Sequence, residues 1–347
     1  MTLLGGTQGA GGTLDMQAPG RITLSGFLDL TGGQAGGGYL DVTSAGPITI
    51  SNLDLSGSSE FGDAGLATID GGSVTIGTLS GRGANDGENC GDAGDVDILS
   101  TGDVLMNGIV DLRGRGLDCS GGFLDIDGDR VFINGSLLLS GDGTEGDGGD
   151  LDVSATTLIQ VASTAVIDLQ GGTGGAGDLL LQSQGDLVAG GMMKASGRAT
   201  NSPGSTLTVL NAGGTLTLTG TVDASGGSLV LGGGGDLALI GCKVDAGPTA
   251  RGYATGDAGA VRIQANDKLI LRGVYQAGSG GVSVQYGPRA VPPTVSASFS
   301  PATTPVLNPL LLPCRLCDTN AECNDGNSCT DDSCPVSYTH LTLPTKA

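Results

Sequence analysis

The sequence predicts an all-β fold, a right-handed parallel β-helix (a solenoid) of about 11 three-strand coils with a small C-terminal disulfide-rich fragment. Three observations predict this fold. A strand-like pattern recurs about every 26 to 29 residues over most of the 347 residues. Within each repeat, apolar and polar residues alternate as in a half-buried strand. Glycine is unusually frequent, with 67 residues, and aromatic residues make up only 3%, which suits thin stacked layers.

The first strand of each repeat is a short apolar–polar–apolar triplet that follows a glycine. The alternation places the two apolar side chains inside the coil and the middle side chain outside. The clearest triplets are Leu14-Asp15-Met16, Leu40-Asp41-Val42, Val96-Asp97-Ile98, Leu124-Asp125-Ile126 and Leu151-Asp152-Val153. We expect the opening glycines at positions 12, 38, 65, 94, 122, 149, 177, 204, 227, 259 and 281.

Two further strand-like runs complete each repeat. Examples are Ile22-Thr23-Leu24 for the second run and Leu28-Asp29-Leu30 for the third. We assign the outward aspartates of the third run as Asp29, Asp54, Asp111, Asp168, Asp223 and Asp245. Gly, Ser, Asn and Asp between the runs favour turns. Three strands and three turns fill one triangular coil, and stacked coils make three parallel sheets with about 4.8 Å between neighbouring strands.

The corner that opens each coil carries a motif of its own. Gly-Asp-Ala-Gly occurs at 62–65, 91–94 and 256–259, and Gly-Asp-Gly-Gly occurs at 146–149. Carboxylates beside the carbonyl groups of a Gly-rich loop are ligands that Ca²⁺ prefers. We therefore predict a candidate calcium site from Asp92, Asp95, Asp147 and Asp150. The alternative is that these aspartates are hydrated surface charges that favour solubility.

The charge of the chain excludes some partners. The net charge is −21, and 32 of the 36 acidic residues are aspartates. Such a negative field repels nucleic acid and anionic membrane surfaces. No run approaches the roughly 20 apolar residues that cross a bilayer. The first residues lack the basic start and apolar core of a signal peptide, and the repeat is under way by Gly11. We therefore expect an N-terminally incomplete fragment.

The eight cysteines fall into two groups. Cys90 and Cys119 lie just before the opening glycines of adjacent coils, so we predict a disulfide between them. Cys242 is either a small buried apolar residue or the partner of an odd cysteine in the second group. The second group, whose pairing is open, comprises Cys314, Cys317, Cys323, Cys329 and Cys334. Disulfides here predict an oxidising compartment. A zinc site at Cys314 and Cys317 is the alternative, although the matching second ligand pair is missing.

Composition divides the chain into four segments. We expect the β-helix over residues 1–289, a Pro-rich linker over 290–313, a partial Cys-rich module over 314–335 and a non-native tail over 336–347. Seven prolines between Pro288 and Pro313 predict an extended linker. The tail departs in composition from everything before it and resembles translated adaptor sequence, so it is excluded from the fold prediction.

Two resemblances to known families follow from these patterns. Over roughly residues 5–290, the coils resemble the β-helical passenger regions of bacterial surface and exported proteins, including filamentous-haemagglutinin-like adhesins. Residues 323–334 resemble an Asp-Gly-Asn-x-Cys-Thr-x-Asp-x-Cys repeat of secreted, disulfide-rich proteins. The resemblances imply an extracellular or cell-surface protein with a structural or adhesive role. Calcium would be an optional stabiliser.

We expect a non-enzymatic monomer that contacts an extracellular surface, a glycan or a protein ligand. A polysaccharide lyase or hydrolase is the first alternative, because several pectin-degrading enzymes share the fold and use clustered Asp with Arg or Lys. Arg113, Arg115 and Arg130, beside Asp111 and Asp129, form a candidate cluster, although a surface salt-bridge cluster is the interpretation we prefer. The lone histidine lies in the tail, so no His-based triad is expected. The second alternative, a phage-tail or capsule-binding spike, would be trimeric.

Overall fold

In a computed structural model, the chain forms an all-β parallel solenoid of about 10 turns, with 56% of the described residues in strands. The structure describes residues 1–58, 62–84, 91–116, 118–141, 145–198, 201–227, 233–290 and 292–314. These residues contain no α-helix, and the one 3-10 helix among them spans Pro288–Ala290. None of them belongs to a helix with the length and hydropathy that a membrane crossing needs. The predicted fold class is confirmed.

The strands differ in length because several continue through a corner into the next side of the coil. The first twelve are Thr13–Ala18 (β1), Ile22–Asp29 (β2), Tyr39–Asp54 (β3), Leu66–Ser80 (β4), Asp95–Ser100 (β5), Asp103–Met106 (β6), Val110–Asp111 (β7), Phe123–Ile133 (β8), Leu137–Leu138 (β9), Leu151–Val161 (β10), Val166–Asp168 (β11) and Leu179–Ser183 (β12). The others are Asp186–Ala189 (β13), Met192–Lys194 (β14), Leu207–Leu218 (β15), Thr221–Asp223 (β16), Asp236–Ala246 (β17), Arg251–Ala254 (β18), Ala260–Leu271 (β19), Val274–Ala277 (β20), Gly281–Tyr286 (β21), Thr294–Val295 (β22), Ser298–Ser300 (β23) and Val306–Leu307 (β24).

Equivalent strands of successive coils pair in parallel, which builds three sheets around one interior. The apolar residues of the three runs are in register from coil to coil and point inward. In the first three coils these stacks are Leu14, Leu40 and Ala67 in the first sheet, Ile22, Ile48 and Val74 in the second, and Leu28, Leu53 and Leu79 in the third. Leu40, Ile50 and Leu55 have no exposed surface. Each such side chain contributes roughly 1.5–3 kcal/mol of hydrophobic free energy.

Two positions expected from the sequence are wrong. Asp245 lies in the second sheet, where it pairs with Thr217, and Tyr253 occupies the third-run position of that coil. The sequence analysis placed the next first-sheet strand directly after Gly227, but the residue that pairs with Leu207 in that sheet is Leu237. Residues 228–232 lie outside the described residues. Two apolar runs follow one another in this part of the sequence, so the length of the corner loop decides which run enters the sheet.

The corner glycines are needed because the coils approach closely there. A Cβ atom built on Gly149 would lie 2.0 Å from the carbonyl oxygen of Gly122 in the preceding coil. A Cβ built on Gly122 would meet the carbonyl oxygen of Gly94 at the same distance. A side chain at these positions would therefore force neighbouring coils apart. The repeated opening glycine is thus a packing requirement.

Residues 290–313, for which the sequence predicts an extended linker, contain three short strands. β22, β23 and β24 pair with β19, β20 and β21, and so continue the three sheets beyond residue 289. Extended Pro-rich chain and β-strand have similar backbone angles, and an edge strand tolerates proline. After β24, residues 308–314 run back towards earlier coils, and we call this segment the strap.

The interior changes character towards the C-terminal end. Tyr275 is fully buried, and its ring lies 6.0 Å from the ring of Phe299 in the next coil. In the preceding coil the equivalent residue is Gly252, where an added Cβ would lie 2.7 Å from the Tyr275 ring. The absence of a side chain at Gly252 makes room for the tyrosine.

Candidate functional site

The outer face of the first sheet combines apolar and acidic side chains over five consecutive coils. Strand alternation sends every second residue outward, so these side chains lie in parallel rows along the solenoid. We call this surface the first-sheet face; its residues are Tyr39, Asp41, Thr43, Leu66, Thr68, Asp70, Asp95, Asp97, Leu99, Phe123, Asp125, Asp127, Asp150, Asp152 and Ser154.

Large apolar side chains on this face are exposed. The exposed fractions are 37% for Tyr39, 48% for Leu66, 51% for Leu99 and 38% for Phe123. Tyr39 and Leu66 are register neighbours, and Phe123 follows one coil after Asp95. Exposed aromatic and aliphatic side chains beside carboxylates form a surface that can contact both apolar and hydrogen-bonding parts of a ligand. The sequence analysis identified the outward aspartates but missed these apolar neighbours.

An acidic ladder crosses the middle of the first-sheet face. Asp97, Asp125 and Asp152 occupy the same position in three successive coils. Burial raises the pKa of Asp125, and the nearby carboxylates of Asp127, Asp152 and Asp97 raise it further. Burial also raises the pKa of Asp152, with a smaller contribution from Asp127. Asp125 and Asp152 therefore hold protons more strongly than ordinary surface aspartates do.

A groove of about 420 Å³ borders the ladder at the corner that follows the first sheet. Its polar walls include Asp127, Asp129, Ser154, Thr156 and Gln182. None of its lining residues is aromatic. The groove thus offers hydrogen-bond donors and acceptors over four coils, which suits a ligand rich in hydroxyl groups.

Asp129 has the opposite electrostatic character to the ladder. The hydroxyl of Thr156 donates a hydrogen bond of 2.6 Å to its Oδ1, and the hydroxyl of Thr157 donates to the same oxygen. These hydrogen bonds, with a smaller effect of Arg130, lower the pKa of Asp129. Asp129 on the groove wall therefore ionises more readily than Asp125 and Asp152, which lie on the first-sheet face and are not among the residues that line the groove.

Three of the four aspartates predicted to bind calcium accept backbone hydrogen bonds from the next coil. Asp92 Oδ1 accepts from the Ser120 amide at 3.1 Å, and Asp95 Oδ1 accepts from the Phe123 amide at 3.2 Å. Asp150 Oδ1 accepts from the amide of Asp178 at 2.7 Å. The carboxylate of Asp147 lies against Gly174, where an added Cβ would lie 1.7 Å from Oδ1. Calcium binding by these four residues stays a prediction.

Other aspartates also act as backbone acceptors, a role that the sequence analysis missed. Asp178 Oδ1 accepts from the Thr206 amide at 2.9 Å and from the hydroxyl of Ser205, both in the next coil. In the third runs, the carboxylate accepts the amide two residues later, as in an Asx turn. The Oδ1 acceptors of this kind are Asp29, Asp54, Asp168 and Asp223.

Two of the three arginines of the candidate lyase-like cluster, Arg113 and Arg130, form ion pairs with aspartates. Arg113 binds Asp111 through two hydrogen bonds of 2.8 Å. Arg130 binds Asp103 of the preceding coil in the same bidentate way, at 2.8 and 2.6 Å, rather than Asp129. Because these guanidinium groups are already paired, the geometry favours the salt-bridge interpretation over a catalytic cluster.

Some of the cysteines lie among the residues that the structure describes, and the others lie outside them. Cys119 is buried and disulfide-bonded, but its predicted partner Cys90 lies outside the described residues, so that pairing stays a prediction. Cys242 and Cys314 lie at disulfide distance, with Cα atoms 5.6 Å apart, so of the two interpretations for Cys242 the structure favours a partner in the C-terminal group. Besides Cys90, the cysteines outside the described residues are Cys317, Cys323, Cys329 and Cys334.

Comparison with known proteins gives no relative. The chain matches no family model, no curated protein and no solved structure.

Proposed function

We propose that this chain is a non-enzymatic structural or adhesive rod of the extracellular space or cell surface, and that it contacts glycans through the first-sheet face. The observation that carries the proposal is the row of exposed Tyr39, Leu66 and Phe123 beside the carboxylates of that face. An aromatic ring covers the C–H face of a sugar, and carboxylates accept hydrogen bonds from its hydroxyl groups.

The use of the polar side chains supports a structural role. Aspartates at the corners accept amide hydrogen bonds between or within coils, and arginines are held in ion pairs. The pairs are Arg82 and Arg113 with Asp111, Arg130 with Asp103, Arg198 with Asp168, and Arg272 with Asp245. Side chains engaged in this way stabilise the stacking of coils.

Charge and cysteine content support the proposed location and partners. A net charge of −21 keeps a rod soluble and repels nucleic acid and other strongly anionic polymers. The glycan partner is therefore neutral or basic. Paired cysteines at Cys119 and at Cys242 with Cys314 are typical of an oxidising, extracellular environment.

A glycan array tests the adhesive proposal. We expect the full chain to bind a subset of neutral or basic glycans, and the double variant Tyr39→Ala/Phe123→Ala to lose at least about tenfold in affinity, since each removed ring contributes about 1 kcal/mol or more. Phe27→Ala is the matched control, because Phe27 is more exposed than either ring, at 54%, but belongs to the third sheet. Equal binding by the double variant would contradict the proposal, and so would failure to bind any glycan.

A polysaccharide hydrolase or lyase is the second candidate, and the groove favours it. The pKa of Asp129 is lowered and the pKa values of Asp125 and Asp152 are raised, and such a divergence separates a general base from a general acid. Incubation with pectin, alginate and neutral polysaccharides tests this candidate. Product release that falls about 100-fold or more in Asp129→Asn but is kept in Asp236→Asn, an exposed position outside the groove and the first-sheet face, would favour the enzyme. No product from any polymer would favour the rod.

A further inference from the structure

Three side chains with metal-binding atoms meet at one corner of the C-terminal coils. Cys242 lies at the bend between the first and second sides of its coil in β17, and Asp267 lies at the same bend of the next coil in β19. Cys314 ends the strap. The Sγ atoms of the two cysteines and a carboxylate oxygen of Asp267 all lie within 4.8 Å of one another. Among the residues with described positions, no other such trio is found.

The strap holds Cys314 at this corner through contacts of its own. The side-chain amide of Asn266 donates a hydrogen bond of 2.9 Å to the carbonyl oxygen of Leu312. At the start of the strap, the side-chain amide of Asn308 donates to Gln285 Oε1 at 2.9 Å. The position of Cys314 beside Cys242 therefore does not depend only on a bond between the two sulfurs.

The burial of the trio suits a coordination site with one open side. Cys242 is 1% exposed, whereas Asp267 and Cys314 are half-buried. The sulfur of Cys242 lies 3.4 Å from Asp267 Oδ2. A cation at the centre would thus contact protein ligands on one side and water on the other, which is the arrangement of three protein ligands plus one solvent ligand.

We propose that Cys242, Asp267 and Cys314 bind a thiophilic divalent cation, with zinc as the best match, whenever the two cysteines are reduced. Two thiolates and one carboxylate are a ligand set that zinc accepts in tetrahedral geometry. With Zn–S bonds of about 2.3 Å at tetrahedral angles, the two sulfurs would lie about 3.8 Å apart. Rotation about the Cα–Cβ bonds achieves this separation without moving the strap.

The disulfide form and the zinc-bound form of the site differ by a two-electron reduction. A dithiol or phosphine reductant supplies two electrons, the sulfur–sulfur bond breaks, and two protons are taken up to give two thiols. Zinc then displaces both protons and binds the two thiolates. Together with Asp267 these ligands carry a charge of −3, which a half-buried corner tolerates poorly without a cation. Zinc lowers this charge to −1, so the strap stays fixed to β17 in both the oxidised and the reduced protein.

Cobalt binding tests the proposal, because Co²⁺ replaces Zn²⁺ and its thiolate complexes absorb visible and near-ultraviolet light. The background is the full chain carrying Cys317→Ser, Cys323→Ser, Cys329→Ser and Cys334→Ser, which removes the thiols that follow Cys314 and keeps Cys90 and Cys119. We expect the phosphine-reduced chain to bind one Co²⁺ with a thiolate charge-transfer band, and Zn²⁺ to displace it. The oxidised chain is expected to bind none.

Three variants in this background assign the ligands. Cys242→Ser is expected to abolish the band, and Asp267→Asn, which keeps the shape of the side chain, to weaken Co²⁺ binding at least about tenfold. Asp236→Asn, on the same strand as Cys242 but exposed, is the matched control and is expected to bind as the parent does. The proposal is overturned if the reduced parent binds no Co²⁺, or if Cys242→Ser or Asp267→Asn binds it as tightly as the parent.

Discussion

Gly149 lies directly against the carbonyl oxygen of Gly122, one coil earlier, at a distance that leaves no room for a Cβ atom. The same relationship links Gly122 to Gly94 and Gly177 to Gly149. A row of glycines thus sets how closely successive coils approach at this corner. The glycine that recurs in the sequence at the start of each coil is therefore explained by this close contact between coils.

Gly149→Ala is expected to destabilise the solenoid because the added methyl group must displace the backbone of the coil before it. We expect the free energy of unfolding to fall by about 1–3 kcal/mol or more. Gly20→Ala is the control, since a Cβ on Gly20 has no atom within 4 Å, and we expect a change within about 0.5 kcal/mol. Urea unfolding followed by circular dichroism measures both. Equal stabilities of the two variants would contradict close packing at the corner.

The hydrogen bond that Asp178 accepts from the next coil predicts that Asp178→Ala and Asp178→Asn differ in their free energy of unfolding. Asp178→Ala removes the acceptor for the Thr206 amide, and we expect a loss of about 1–3 kcal/mol in the free energy of unfolding. Asp178→Asn keeps an oxygen at this position and is expected to retain at least half of the stability that alanine loses. Denaturant unfolding of the two variants provides the comparison. If alanine and asparagine behave alike, the carboxylate does not act as a coil-to-coil acceptor.

The raised pKa of Asp152 predicts that Asp152→Asn stabilises the fold by an amount that depends on pH. A carboxyl group whose folded pKa lies above its ordinary value of 3.8 favours folding when protonated, so stability falls as pH rises through the folded pKa. Asp152→Asn removes the cost of ionising this partly buried carboxyl group, so we expect a higher melting temperature at pH 7 than for the parent. The gain is expected to disappear below about pH 3.8, where Asp152 is protonated in both states.

Asp70→Asn is the control for this pH dependence. Asp70 lies on the same face, but its register neighbours are Thr43 and Leu99 rather than other carboxylates. We expect the asparagine to shift the melting temperature little, by a similar amount at pH 7 and pH 3. A pH-independent gain in Asp152→Asn would show that burial and the neighbouring Asp127 do not govern its protonation.

Calcium is expected to stabilise the chain if the corner aspartates bind it. With a dissociation constant of about 0.1–1 mM, which is typical of extracellular sites, 10 mM calcium would add about 1.4–2.7 kcal/mol. Melting curves with calcium and with chelator measure this effect. The double variant Asp147→Asn/Asp150→Asn is expected to lose most of it. Identical curves for the parent protein under both conditions would end the calcium hypothesis.

The sequence predicted the parts of the fold that recur within one coil. Inward residues such as Leu28, Leu53 and Val110 were identified because strand alternation and turn residues are local signals. The structure aligns Leu28 with Leu53, and then aligns Leu79 with Val110 along the same sheet. The number and order of the three sheets followed from this pattern.

Features that depend on loop length or on distant contacts could not be predicted in the same way. Asp245 was assigned to the third sheet because its local pattern fits either side of the coil, and the register is set by the preceding corner. The approach of Cys314 to Cys242 depends on the strap, which joins segments 72 residues apart. The pKa of Asp125 is raised first by burial and then by neighbouring carboxylates, and the pKa of Asp129 is lowered by threonine hydroxyl groups of the next coil.

The most direct test of the central claim measures distances along the rows of the first sheet. Thr68 and Thr208 lie five coils apart in one row, and Thr43 and Gln264 lie eight coils apart in another. Spin labels attached at each pair through a ketone-bearing amino acid avoid the natural cysteines. At about 4.8 Å per coil, we expect separations near 24 and 38 Å.

The difference between the two label distances, about 14 Å, does not depend on the length of the label and reports three coils of stacking. A longer distance for the pair Thr43 and Gln264 by this amount is the result that the parallel solenoid predicts. Equal distances for the two pairs, or a shorter distance for the pair with more coils between its members, would contradict the stacking of equivalent residues and with it the whole structural account.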